Sequence, residues 1–129
     1  MKSYTDLEQS KKLAEILPLE SADMWWNFYS VTTDDTTPQI IHLDTPWVGN
    51  FNWDNKPDNV SCWSLAALLN VLPDTITSND GIAFKLNIKK NIIEYSNPPL
   101  YLIYKSVKSD NIVDACYEMI EKLHKQKLL

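Results

Sequence analysis

The run from Ser61 to Pro73 constrains the fold more than any other part of the chain. Leu65, Leu68, Leu69 and Leu72 fall at i, i+3, i+4 and i+7, one face of a 3.6-residue repeat. Ala66, Ala67 and Val71 fill most of the remaining circumference, so Ser64 and Asn70 are the polar side chains inside the run. A helix apolar on most sides is covered on most sides. The spacing therefore predicts a central helix from Cys62 to Leu72, ended by Pro73, on which the first and last helices and a sheet pack.

Burying such a helix needs enough chain around it. The 129 residues, 44% hydrophobic and 22% charged, have the balance of a globular protein and not of a disordered tail. A chain of this length buries about two-thirds of its unfolded surface in one core. No repeat, linker or low-complexity segment divides it, so residues 1–129 read as a single domain.

Charge narrows the partners. Seventeen acids oppose twelve lysines, there is no arginine, and the net charge is −5. Counterion release from phosphates needs a basic footprint, and arginine's planar fork is the usual reader of phosphate and guanine. The balance argues against nucleic acid and against an anionic membrane surface. The start of the chain has no apolar stretch of a secretory leader, and no run approaches the roughly 18 apolar residues of a membrane span. Cys62 and Cys116 each lie in an apolar helical pattern, as reduced core thiols do. These features make the cytoplasm the expected compartment.

Along the chain, Thr5-Asp6-Leu7-Glu8 has the form of a capping box with Thr5 as N-cap, opening an amphipathic helix that Pro18 ends near Leu17. Ser21 to Val60 holds Trp25, Trp26, Phe28, Tyr29, Trp47, Phe51 and Trp53, half of the fourteen aromatic residues. Phe28–Thr33 and Gln39–Leu43 read as strands, and Asp44–Asn59 as a long loop, rich in Pro, Gly, Asn and Asp. After the central helix, Asp74–Gly81 is polar and turn-like. Ile82–Ile88 alternates, Lys89-Lys90-Asn91 signals a hairpin, Ile92–Tyr95 returns, and Leu100–Lys105 is a third strand after Asn97-Pro98-Pro99. The last helix is capped by Ser109 or Asp110. It carries Ile112, Cys116, Met119, Ile120 and Leu123 on one face, with Glu118–Lys122 and Glu121–Lys125 pairs on the other.

Three runs together carry a resemblance: Tyr4–Leu13, Trp63–Pro73, and Asp114–Ile120 with Lys122-Leu123-His124. In this order the chain resembles a family of small uncharacterised proteins encoded in gut-bacterial genomes, often in prophages or other mobile elements. The resemblance implies a phage-like or mobile-element origin and helices packed on a small antiparallel sheet. It implies no activity and no catalytic residues. The α-β-β-β-α order of the C-terminal portion is also similar to the double-stranded-RNA-binding domain. Asp114, Glu118 and Glu121, however, stand where such domains place lysines against phosphates.

Three kinds of chemistry compete. Cys62, at the start of the expected helix, would have its thiol pKa lowered by the helix dipole, with His42 or His124 as base. That is the pattern of a small Cys62-dependent hydrolase or transferase, set against a buried cysteine acting as a small hydrophobe. Metal ligation fits poorly. His42-Leu43-Asp44, Asp34, Asp35 and the Asp54-Lys56-Asp58 loop lack ligand spacing, and no metal or cofactor is expected. Trp25, Trp26, Trp47, Phe51 and Trp53, interleaved with Asn and Asp, have the make-up of a contact surface for a protein partner or, alternatively, of a carbohydrate-binding module. The opposing reading is that these rings close the core. The expected molecule is thus an α+β domain of three helices on a small antiparallel sheet, acting without catalysis through an aromatic surface.

Overall fold

The computed structural model describes residues 2–26, 28–32, 38–42, 46–48 and 60–129, with backbone alone for 28–32, 38–42 and 47–48. Among the described residues the architecture is α+β, as expected, with three α-helices and antiparallel sheets. The chain divides into two compact units, Tyr4–Ser64 and Met1–Ser3 with Leu65–Leu129.

In the Tyr4–Ser64 unit, helix α1 spans Leu7–Ile16 and turns Leu13 inward. Its N-cap is Asp6, one residue later than the sequence suggested. The Asp6 carboxylate accepts from the Gln9 N–H at 2.8 Å, and the Gln9 side chain accepts in return from the Asp6 N–H at 3.1 Å. Thr5 is unavailable as a cap because its hydroxyl is buried among other partners. Strands β1 (Met24–Trp26), β4 (Trp47–Val48) and β5 (Val60–Cys62) form a sheet in the order β4-β1-β5, and β2 (Phe28–Thr32) pairs with β3 (Pro38–His42). The β2–β3 hairpin lies within one residue of its expected bounds. Cys62 belongs to β5, opposite Met24, and not to a helix. This corrects the helix start: Val60–Cys62 takes the extended pairing offered by β1, and helix begins three residues later. Helix α1 packs on β5, and the Thr5 N–H donates to the Trp63 carbonyl at 2.9 Å.

In the other unit, α2 (Leu65–Val71) is followed by β6 (Thr75–Thr77), β7 (Ala83–Lys89), β8 (Ile92–Asn97), β9 (Leu102–Lys108) and α3 (Ile112–Lys125). The strands form one antiparallel meander in the order β6-β7-β8-β9. The stretch between the two helices thus carries four strands where three were expected. Thr75-Ile76-Thr77 read as turn because it offers a single apolar residue. Its β-branched trio nonetheless suits a strand, with Ile76 buried opposite Phe84. Lys90-Asn91 makes the expected tight turn, with Lys90 at φ 45°.

Helix α3 packs on β8, β9 and α2, burying Val113, Cys116, Met119, Ile120 and Leu123 over Ile93 and Tyr95. Its cap is Asn111, later than Ser109 or Asp110, and the Asn111 side chain accepts from the Asp114 N–H at 2.9 Å. The residues before it are held elsewhere: the Ser109 N–H donates to the Asn91 carbonyl and the Asn91 amide donates to the Asp110 carbonyl. Near the start of the chain, the Leu65 N–H donates to the Ser3 carbonyl at 3.0 Å, and Lys2 pairs with Asp114 at 2.7 Å.

Candidate functional site

Cys62 was the candidate nucleophile, and its surroundings are those of a structural thiol. It is fully buried, in a strand and not at a helix terminus. Its thiol donates to the Thr5 carbonyl at 3.4 Å, and its sulfur lies 3.5 Å from the Thr5 hydroxyl. The Thr5 hydroxyl also accepts from the Trp63 N–H at 3.1 Å and lies 2.8 Å from the Ser10 hydroxyl, which accepts the Trp26 indole N–H at 3.2 Å. One direction of bonding satisfies all of these groups. Trp26 donates to Ser10, Ser10 to Thr5, Thr5 to the sulfur, and the thiol back to the Thr5 carbonyl. Burial pushes the Cys62 thiol above its ordinary value, outweighing the opposite pull of the Thr5 and Ser10 hydroxyls. A thiol held protonated inside a closed hydrogen-bond chain is a poor nucleophile.

The expected aromatic surface is only partly within view. Trp26 belongs to the core, 6% exposed, with the Tyr4 ring edge-on at 5.9 Å. It is therefore not a surface ring, because Ser10 and Tyr4 satisfy both its polar and its aromatic character. Trp25 is half-buried, its backbone opposite that of Trp47. The Trp47 side chain, Phe51 and Trp53 lie outside the described residues, as do Asp34, Asp35, Asp44, Asp54, Asp58 and the His42 side chain. Trp63 is fully buried and donates its indole N–H to the Ser21 hydroxyl at 2.9 Å. Among the described residues, no group of three or more His, Cys, Asp or Glu is placed to hold a metal ion. No helix among the described residues is long and apolar enough to cross a membrane.

The exposed apolar surface lies instead at the far edge of the four-stranded sheet. Pro98–Leu100 forms a single 3-10 turn, capped by the Asn97 side chain, and Tyr101 follows in the left-handed region at φ 55°. From there five consecutive apolar residues, Leu100, Tyr101, Leu102, Ile103 and Tyr104, are all exposed, Tyr101 to 93% and Ile103 to 62%. Strand β9 pairs with β8 on one side, and among the described residues no strand lies on its other side. An edge of this kind presents unpaired N–H and C=O groups. The ladder opposes Tyr95 to Lys105 and Ser96 to Ile103, so Tyr104 is the extra residue of a β-bulge.

The bulge swings Tyr104 onto Phe84, their rings stacked at 5.0 Å, with the Lys105 ammonium 4.9 Å from the Tyr104 ring centre. Tyr104, Lys105 and Ser106 form one wall of a groove of about 370 Å³, and Lys122 and Lys125 of α3 with its C-cap Gln126 form the other. The Glu118–Lys122 and Glu121–Lys125 pairs expected from spacing are not formed. The described ion pairs are Lys2–Asp114 and Lys89–Glu94. Both α3 lysines are turned to the groove instead. The sequence pointed to a strand at Leu100–Lys105 and to the helix lysines Lys122 and Lys125, but to a functional role for none of them. The one available signal was an uninterrupted apolar run, without the polar alternation of a half-buried strand. Compared with known protein families, curated proteins and solved structures, the chain matches none.

Proposed function

We propose that the protein is a non-enzymatic interaction or accessory protein whose contact surface is the free edge of β9. The observation that carries this reading is the five-residue exposed apolar run Leu100–Tyr104 on a sheet edge with no further strand beside it among the described residues. Contiguous exposed apolar surface marks interaction sites, and an open edge is a template for another chain. The aromatic surface around Trp25 and Trp47 gives way to this one, since the rings beside it that are in view serve the core. The cytoplasm suits the reading, because Cys62 and Cys116 are both free and buried. Origin in a phage or mobile element rests on the three residue runs alone.

Site-directed photo-crosslinking tests the proposal. A benzophenone side chain at Ile103, in cells expressing the protein, should give discrete protein adducts that Leu102→Lys removes. The same probe at Lys12, on the wet face of α1, should not give them. Adducts of equal yield at both positions, or none at Ile103, would refute the reading.

A further inference from the structure

The partner's chemistry can be narrowed from the groove beside the edge. We infer that β9 receives an extended, acidic peptide segment, which adds as a strand along Leu102–Tyr104 and places carboxylates against Lys105, Lys122 and Lys125. The inference rests on the reading of β9 as an interaction edge and adds the charge of what occupies it.

Two observations meet here. The first is the open, apolar edge, which supplies main-chain hydrogen bonds and side-chain contacts to an extended chain. The second is charge. The protein is acidic overall, at −5, yet the groove bordering this edge is lined by three lysines and no carboxylate. None of the three is in an ion pair among the described residues. Lysines four apart from glutamates on a helix would ordinarily pair with them. Here they converge with Lys105 from a different element, which concentrates positive potential along one side of an apolar strand. A strand adding to β9 alternates its side chains, so one set can lie on the face of Ile103 while the other, on the face of Leu102 and Lys105, reaches the lysines. The lysines also account for the restraint of this edge. Lys105 and Lys108 oppose uncharged edge-to-edge pairing in the C-terminal half of β9, and the bulge at Tyr104 interrupts it in the middle. An acidic strand is the occupant that turns those lysines from obstacle to attraction.

The test uses a blocked, fluorescently labelled peptide of alternating valine and glutamate, with lysine replacing glutamate in the control peptide. Anisotropy titration against the whole protein should show binding of the acidic peptide and not of the basic one, weakened by added salt. The double variant Lys122→Glu with Lys125→Glu should lose about tenfold or more in affinity, the sum expected for two partly exposed charge pairs. Both lysines are exposed, so circular dichroism should show the variant folded. Ile103→Lys should also lose binding, through the apolar contacts. Equal binding of the two peptides, or an unchanged affinity in the double variant, would overturn the charge inference, while the crosslinks at Ile103 would still stand for the interaction edge. Tighter binding of a single-stranded oligonucleotide than of the acidic peptide would overturn it as well. So would a dimer in sedimentation that Ile103→Lys disperses, because the occupant would then be a second copy of the chain.

Discussion

Helix α2 is short, and its place in the core can be measured through two adjacent leucines. Leu68 is fully buried, and α2 packs on α3. Leu69 is half-exposed. Leu68→Ala removes three carbon groups, worth about 0.8 kcal/mol each on transfer, or about 2.4 kcal/mol. The cavity left behind adds to this, and buried Leu→Ala changes span about 2.7–5 kcal/mol. A loss of about 3–4 kcal/mol is expected. Leu69→Ala gives up about half the transfer free energy and leaves no closed cavity, so about 1 kcal/mol is expected. Urea unfolding followed by far-ultraviolet circular dichroism reads both losses. The reasoning fails if Leu68→Ala costs less than about 1 kcal/mol, or if Leu69→Ala costs as much as Leu68→Ala.

Four further outcomes follow from the buried polar and thiol groups. Thr5→Val removes the hydroxyl that joins Ser10, Cys62 and the Trp63 amide, and should cost about 1–3 kcal/mol. Tryptophan fluorescence should report it, since every tryptophan lies between Tyr4 and Ser64. Tyr95→Phe removes the hydroxyl that donates to the Pro73 carbonyl at 2.7 Å, and should cost about 1 kcal/mol in thermal or urea unfolding. Burial pushes the Cys116 thiol up to about 12 from an ordinary 9.0. The folded state therefore holds this proton more tightly than the unfolded chain. The stability it contributes is fully present below pH 9 and is lost between about pH 9 and 12, by up to about 1.4 kcal/mol per pH unit. Cys116→Ala should flatten the alkaline arm of a stability profile in that window. Neither cysteine should react with iodoacetamide in the native protein at neutral pH, and both should react in urea.

The parts of this fold legible in the sequence are those with a sustained period. The apolar stripe of α3 and the alternation along β7 could be read because each repeats its signal several times. Short elements carry too few repeats: β6 has one apolar residue, and Ser61-Cys62 is as compatible with the first turn of a helix as with the end of a strand. Only the partner strand β1 decides between these. Caps slipped by one or two residues where the first candidate is held elsewhere, Thr5 through its hydroxyl on Ser10 and Ser109 and Asp110 through their backbone groups on Asn91. The edge proposed to bind was invisible for a different reason. Leu100–Tyr104 has the composition of a core strand, and its exposure depends on β9 being last in the sheet. Likewise Lys122 and Lys125 look like partners for Glu118 and Glu121 in a helical projection. Their approach to Lys105 is a fact of how α3 crosses β9.

The hydrogen bonds that join Ser3 to Leu65, and Thr5 to Trp63, have a consequence for how the chain is partitioned. Residues 4–64 leave and re-enter the rest of the sequence at neighbouring points. They have the layout of a guest domain inserted into a host whose own sequence is interrupted once, after Ser3. Insertions of this kind are tolerated where the two ends of the guest lie together. A gene that joins Ser3 to Leu65 through a short glycine-containing turn would therefore keep every ladder of the host sheet and the Lys2–Asp114 pair. It would also remove all five tryptophans at a stroke, leaving a smaller, tryptophan-free protein that still carries β9, its lysine groove and the edge proposed to bind.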